Sequence, residues 1–74
     1  MIKVYSTPTC PYCTRVKDYL KSKGVKFVEY NVASDAKAKD EMVKKTGQLS
    51  VPVVEINNTI IIGFDKDEID KALK

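Results

Sequence analysis

Two cysteines, Cys10 and Cys13, stand two residues apart in Thr9-Cys10-Pro11-Tyr12-Cys13, and the 74-residue chain has no other cysteine and no histidine. The chemistry open to such a pair is thiol–disulfide exchange, in which a thiolate attacks a disulfide and a second thiol resolves the mixed disulfide. The run directly follows the strand-like stretch Ile2-Lys3-Val4-Tyr5-Ser6, so both thiols fall at a predicted strand-to-helix junction. A sulfur at the first turn of a helix meets unpaired N–H groups and the positive end of the helix dipole, which favour the thiolate. In motifs of this kind the thiol pKa falls from about 8.5 to roughly 3.5–7.5. Cys10, at the very start, is the expected nucleophile, and Cys13, one turn further in and more shielded, the resolving thiol. Pro11 restricts the backbone between them. Tyr12 is expected to be exposed beside the nucleophile as a contact surface, with Arg15 and Lys17 adding positive charge.

Other readings of the pair are weaker. A structural disulfide closing so short a loop adds little stability in the chain-entropy picture. Structural zinc takes four ligands, and this chain offers two thiols and no imidazole; only a dimer could complete a metal or cluster site. Without histidine, a Cys–His nucleophile pair is excluded.

The rest of the composition sets bounds. Seventy-four residues with 43% hydrophobic content give one domain, 1–74, with a modest core. The net charge of +3 is too mild to indicate nucleic-acid binding. The charge is uneven: residues 1–26 carry six basic residues against the single acid Asp18, which makes the cysteine segment electropositive and attractive to anionic partners. No apolar run is long enough to span a membrane, and no secretory hydrophobic segment follows Met1. A cytoplasmic monomer is therefore expected, in a reducing compartment where one Cys-x-x-Cys pair serves catalysis rather than stapling.

The elements that must position the cysteines alternate along the chain. Ile2 to Ser6 predicts a strand. Cys10 fits an N-cap, with Pro11 at the first helical position, and Val16, Tyr19 and Leu20 mark the buried face of a helix that Gly24 caps. Val25 to Val32 is apolar on both faces and predicts an interior strand. Ser34 or Asp35 caps a second helix that runs to about Thr46 and stops at Gly47; its apolar face (Ala38, Met42, Val43) is thin, so it should pack softly. Val51 to Ile56 and Thr59 to Ile62 predict a hairpin turning at Asn57-Asn58. Asp65-Lys66-Asp67-Glu68 matches a capping box for a last helix with Ile69, Ala72 and Leu73 on its inner face. The order β-α-β-α-β-β-α predicts an α/β fold: a mixed four-stranded sheet with helices on both faces, its first two strands parallel. Ser50-Val51-Pro52 opens the third strand, and taken alone Pro52 reads as a strand-entry residue.

Taken together, Cys10-Pro11-Tyr12-Cys13, Ser50-Val51-Pro52 and Gly63-Phe64-Asp65, in this order and spacing, make the whole chain resemble the glutaredoxins of the thioredoxin superfamily. The resemblance implies a thioredoxin-like fold and a dithiol–disulfide oxidoreductase with Cys10 attacking and Cys13 resolving. It implies a cis Val51–Pro52 bond that sets Val51 beside the active site, where its main chain holds an extended substrate segment. Gly63, Phe64 and Asp65 match the place where glutaredoxins hold the γ-glutamyl end of glutathione, and Gln48 is a polar contact near that groove. Implied partners are disulfide-containing proteins and glutathione mixed disulfides, with glutathione as co-substrate, no bound cofactor and no metal. Two departures stand out. Glutaredoxins usually carry a lysine shortly before the first cysteine, where this chain has Thr7-Pro8, and their paired glycines are here Ile62-Gly63. The Gly63-Phe64 pair is instead similar to that of the small glutaredoxin-like hydrogen donors of ribonucleotide reductase, which take electrons from thioredoxin reductase. No nucleotide motif is present, so any NADPH is used on a partner enzyme.

Overall fold

The computed structural model describes residues 2–73. Its elements run β1 (Ile2–Ser6), α1 (Pro11–Ser22), β2 (Val28–Asn31), α2 (Ala36–Thr46), β3 (Val53–Ile56), β4 (Thr59–Ile62) and α3 (Lys66–Leu73). Successive strand residues point to opposite faces, and β1 uses both: Val4 is fully buried on one side and Tyr5 on the other. Val4, Val54, Ile56 and Ile61 of the sheet pack with Val16 and Leu20 of α1 and Ile69 of α3. On the opposite face Tyr5 and Val53 pack with Val32 and with Ala38 and Met42 of α2. This two-sided burial suspends the β1–α1 junction, and so Cys10, at the end of a central strand.

The sheet order is β2-β1-β3-β4. β1 and β2 are parallel with Lys3 opposite Val28, whereas β3 runs antiparallel to both β1 and β4. The thioredoxin-like fold expected from the sequence is the fold observed. Local signals set the element ends. The Asp35 carboxylate accepts the Ala38 N–H at 3.1 Å to cap α2, and Gly47, with φ of 73°, closes that helix. Asn57 and Asn58 both take positive φ in the hairpin turn, as a two-residue connection with the native twist requires. Asp65 Oδ1 accepts the Glu68 N–H at 3.2 Å and caps α3.

Three expectations need correction. The second strand is shorter than Val25 to Val32 and is not buried on both sides. It is a sheet edge, with Val28 and Glu29 exposed. Its apolar start misled because Val25 and Phe27 lie in the connection before β2 and pack onto the α1–α3 core from there. The third strand begins at Val53 rather than Val51, which leaves Val51 and Pro52 outside the ladder. At the end of α1 the capping position is Lys23, and Gly24 follows it at φ of 71°.

α1 and α3 are tied together by Tyr19. Its hydroxyl donates to Asp70 Oδ1 at 2.6 Å, its ring meets Phe64 edge-on with centroids 5.9 Å apart, and Lys23 and Lys66 lie over it. The hydrogen bond to Asp70 raises the Tyr19 pKa above its usual 10.0. The Lys23 pKa is raised above 10.5 by its bond to Tyr19 and then by Asp70. Lys45 is raised in the same direction by its hydrogen bond to Glu55. All three groups hold their protons more tightly when folded, so their stabilising contribution is complete below the unfolded values and is lost as pH rises through the folded ones. Thermal unfolding should therefore be insensitive to these groups from pH 7 to about 9 and fall above about pH 10. Tyr19→Phe should flatten part of that fall. An unchanged alkaline limb in the variant would remove Tyr19 from this account.

Candidate active site

Cys10 is the N-cap of α1. Its backbone is extended (φ −97°, ψ 108°), Pro11 occupies the first helical position, and Cys10 Sγ accepts the Cys13 N–H at 3.1 Å. An N-cap acceptor satisfies one of the orphan donors of the first turn, and here the acceptor is the sulfur itself. The same N–H and the helix dipole favour negative charge on Cys10 once the thiol is free. Thr7 fixes the approach to the helix, its carbonyl accepting the Cys10 N–H at 3.4 Å. Cys13 sits one turn on with no exposed surface, whereas Cys10 is half-buried. The two are joined in a disulfide with Cα atoms 5.2 Å apart, so the structure is the oxidised form. One thiol faces the solvent and the other lies behind it, which is the asymmetry expected of an attacking and a resolving sulfur.

The surrounding charge is more selective than the sequence implied. Tyr12 is 56% exposed, with the Arg15 guanidinium 5.2 Å from its ring centroid, so that cation remains at the motif. Lys17 is committed elsewhere: its ammonium pairs with Glu29 on β2 at 2.8 Å. Its expected contribution to the cysteine environment is reduced accordingly, because an adjacent carboxylate largely cancels its field.

The Val51–Pro52 bond is cis. Pro52 is buried and its carbonyl accepts the Gly63 N–H at 2.8 Å, which joins the strand-entry loop to the end of β4. Among the described residues nothing hydrogen-bonds the Val51 N–H or C=O, so both are open to an incoming chain. Gln48 is exposed. Its N–H and C=O are held by the Thr46 hydroxyl at 3.2 and 2.9 Å, which leaves its amide side chain facing solvent. Phe64 follows Gly63 in the segment matched to the γ-glutamyl end of glutathione. It is partly buried, packed on the α1–α3 core and against Tyr19. Asp65 is exposed, with one carboxylate oxygen engaged in capping α3.

A groove of about 270 Å³, lined by Thr7, Val32, Ala33, Lys39, Met42, Leu49 and Val51, opens beside this site. Spacing in the sequence gave no sign of it, because its walls come from the end of β1, the loop after β2, α2 and the loop before Pro52. The one local sign was Leu49, a large apolar residue in a polar loop, which is 62% exposed. Among the described residues no helix is long and apolar enough to cross a membrane, and no three His, Cys, Asp or Glu side chains converge on a point that could hold a metal.

Comparison with known proteins agrees with this geometry. The glutaredoxin family model matches residues 2–61. An uncharacterized glutaredoxin-like 8.6 kDa protein of Clostridium pasteurianum, from a rubredoxin operon, is 54% identical over 74 residues, covering 100% of this chain and 99% of its own. Glutaredoxin 3 of Escherichia coli is 41% identical over 64 residues, covering 86% of this chain and 77% of its own. The solved structure of the glutaredoxin-like NrdH-redoxin of Escherichia coli, described as having a thioredoxin-like activity profile, superposes with a TM-score of 0.83. It is 27% identical and covers 95% of this chain and 91% of that one. With a sulfur-capped helix, a paired second cysteine behind it and a match across most of its length, the chain belongs to the glutaredoxin family of thiol–disulfide oxidoreductases.

Proposed function

We propose that the chain, acting as a single monomeric domain in the cytoplasm, reduces protein disulfides and glutathione mixed disulfides by a dithiol mechanism. The Cys10 thiolate attacks one sulfur of the substrate disulfide. That S–S bond breaks, a substrate thiolate leaves, and a Cys10–substrate mixed disulfide forms. The Cys13 thiolate then attacks Cys10 Sγ, the Cys10–Cys13 bond forms, and the second substrate thiolate departs. Two electrons pass from the dithiol to the substrate, and the departing thiolates take up the protons released by the two cysteines. The observation carrying this reading is the Cys10 sulfur at the helix start, accepting the Cys13 N–H, with Cys13 buried behind it. The open main chain of Val51 next to Pro52 supports binding of an extended substrate segment by strand-like pairing. Tyr12 would contact the substrate, Gln48, Gly63, Phe64 and Asp65 would contact glutathione as co-substrate, and no resident cofactor is needed.

A second reading concerns the electron donor. Thr7 stands where the family resemblance gives a lysine, and the Phe64 ring packs edge-on against Tyr19. Both features weaken the glutathione site and favour recycling by a thioredoxin reductase. The structural likeness to NrdH-redoxin points the same way. The test is NADPH-coupled turnover of a small disulfide, run once with glutathione and glutathione reductase and once with thioredoxin reductase. Turnover in the first arm supports glutathione. Turnover confined to the second removes glutathione from the mechanism and Asp65 from its assigned contact. Absence in both contradicts the reductase reading.

A further inference from the structure

Tyr19 packs against the core from α1, beside Val16 and Leu20, where any large apolar side chain would serve. Packing therefore accounts for its ring and not for its hydroxyl. The hydroxyl reaches across to α3 and donates to Asp70 Oδ1 at 2.6 Å, a short bond to an ionised acceptor and so one of the stronger kind. Asp70 also pairs with Lys23 at 3.5 Å. The ring is fixed by this anchor, and Phe64 meets it edge-on at 5.9 Å. The Lys66 ammonium lies 5.6 Å from the Tyr19 centroid and 5.7 Å from that of Phe64, so one cation spans both rings. Phe64 stands in the short connection between β4 and α3, outside the sheet ladder. Its ring is what seats that connection on the core.

The connection is tied in turn to the loop before β3. The Gly63 N–H donates to the Pro52 C=O at 2.8 Å, and among the described residues this is the only main-chain hydrogen bond made by residues 49–52. Contacts therefore run without a break from Asp70 through Tyr19, Phe64 and Gly63 to the carbonyl next to Val51. Tyr19 itself stands nine residues along α1 from Cys10, about 13–14 Å at the helical rise, too far to touch the reacting sulfurs. We propose that Tyr19, held by Asp70, is a positioning residue: by seating Phe64 it fixes the Gly63–Pro52 bond and so the main chain of Val51 for pairing with an extended substrate, which sets the affinity for protein disulfides and leaves the exchange at Cys10 untouched. The role rests on the reductase reading above and deepens it by naming what holds the substrate edge.

The experiment is single-turnover reduction by the pre-reduced protein, followed to saturation, which needs no electron donor. One substrate is a peptide whose mid-chain cysteine is in mixed disulfide with 2-mercaptoethanol. The other is the disulfide of 2-mercaptoethanol, which has no main chain to pair with Val51. Tyr19→Phe keeps the ring and removes the bond to Asp70. It should raise the half-saturating peptide concentration roughly three- to ten-fold, the range of one lost hydrogen bond. The limiting rate and the small-disulfide rate should stay within about two-fold of the parent, as for a loss of binding alone. Asp70→Ala should match Tyr19→Phe, and the double variant should lose no more than either single one. Asp70→Asn, which keeps an acceptor oxygen, should restore most of the affinity. Ile56→Val, a change in the same core but outside this run of contacts, should lower the unfolding midpoint without moving the half-saturating concentration. An unchanged half-saturating concentration in Tyr19→Phe and Asp70→Ala, equal losses on the two substrates, or additive losses in the double variant would overturn the proposal. So would an equal rise in Ile56→Val, which would reduce Tyr19 to a stabilising contact. If the parent protein leaves the small disulfide unreduced, the reductase reading fails instead. The positioning role is then judged by hydrogen exchange at the Gly63 amide, which Tyr19→Phe should speed more than Ile56→Val does; an equal or smaller acceleration overturns it.

Discussion

Cys10→Ser should lower disulfide turnover by roughly three orders of magnitude or more, to the level of the uncatalysed exchange, because it removes the covalent nucleophile. A serine hydroxyl can still cap α1, so the fold should survive and the loss should be chemical. Circular dichroism and thermal unfolding on the same sample check that. Cys13→Ser should behave differently. It retains the thiol that attacks but loses the one that resolves, so protein disulfides should stall as a covalent adduct on Cys10, detectable by mass. Exchange with glutathione mixed disulfides can continue if free glutathione takes over the second step. The contrast between the two variants is the informative quantity, since Cys10 accepts a main-chain hydrogen bond at the helix start and Cys13 is fully enclosed. Equal losses in both variants, without an adduct in Cys13→Ser, would mean that the two sulfurs do not divide the work this way.

Leu20→Ala should cost about 2–5 kcal/mol of stability, as large-to-small changes in filled cores do. Leu20 has no exposed surface and belongs, on α1, to the core cluster that includes Val4, Val54, Ile61 and Ile69. A domain of this size has only about 4–11 kcal/mol in total, so the midpoint should drop by more than about 10 °C and a large share of the margin disappears. The effect reaches the chemistry because the face that carries Leu20 also holds α1, and hence the Cys10 cap, against the sheet. The comparison is Leu49→Ala. That residue is equally apolar but 62% exposed, and its loss should change stability by no more than about 0.5 kcal/mol. Urea unfolding of both variants decides it. A Leu20→Ala penalty below about 1 kcal/mol would show that the α1 face contributes less than its burial implies.

What the sequence made legible was local. Cys10 before Pro11, Asp35 and Gly47 at the two ends of α2, the Asn57-Asn58 turn and the Asp65 cap each depend on a few adjacent residues, and each stands in the structure where the sequence put it. The strands buried on both faces are β1 and β3, whereas the sequence reading gave the interior position to Val25 to Val32. Strand order was not legible. Val25 and Phe27 looked like part of a buried strand, yet they are connection residues packing onto the helices, and β2 itself is an edge. The pairings of Lys17 with Glu29 and of Tyr19 with Asp70 join residues 12 and 51 positions apart. Such contacts follow from the folded path and leave no mark in local spacing. That is why Lys17 was credited to the active site. The groove of Thr7, Lys39 and Leu49 escaped for the same reason: it has four walls from four separate segments.

The division of labour between the two sulfurs is tested most directly by the rate at which each is alkylated. The fully reduced protein is treated with iodoacetamide from pH 5 to 9, and the modified cysteine is identified by mass. A thiolate held by the first turn of α1 predicts rapid modification of Cys10 well below pH 8.5, with Cys13 protected across the range. Equal modification of both thiols, rising only near about pH 8.5 as for an ordinary cysteine, would contradict the account.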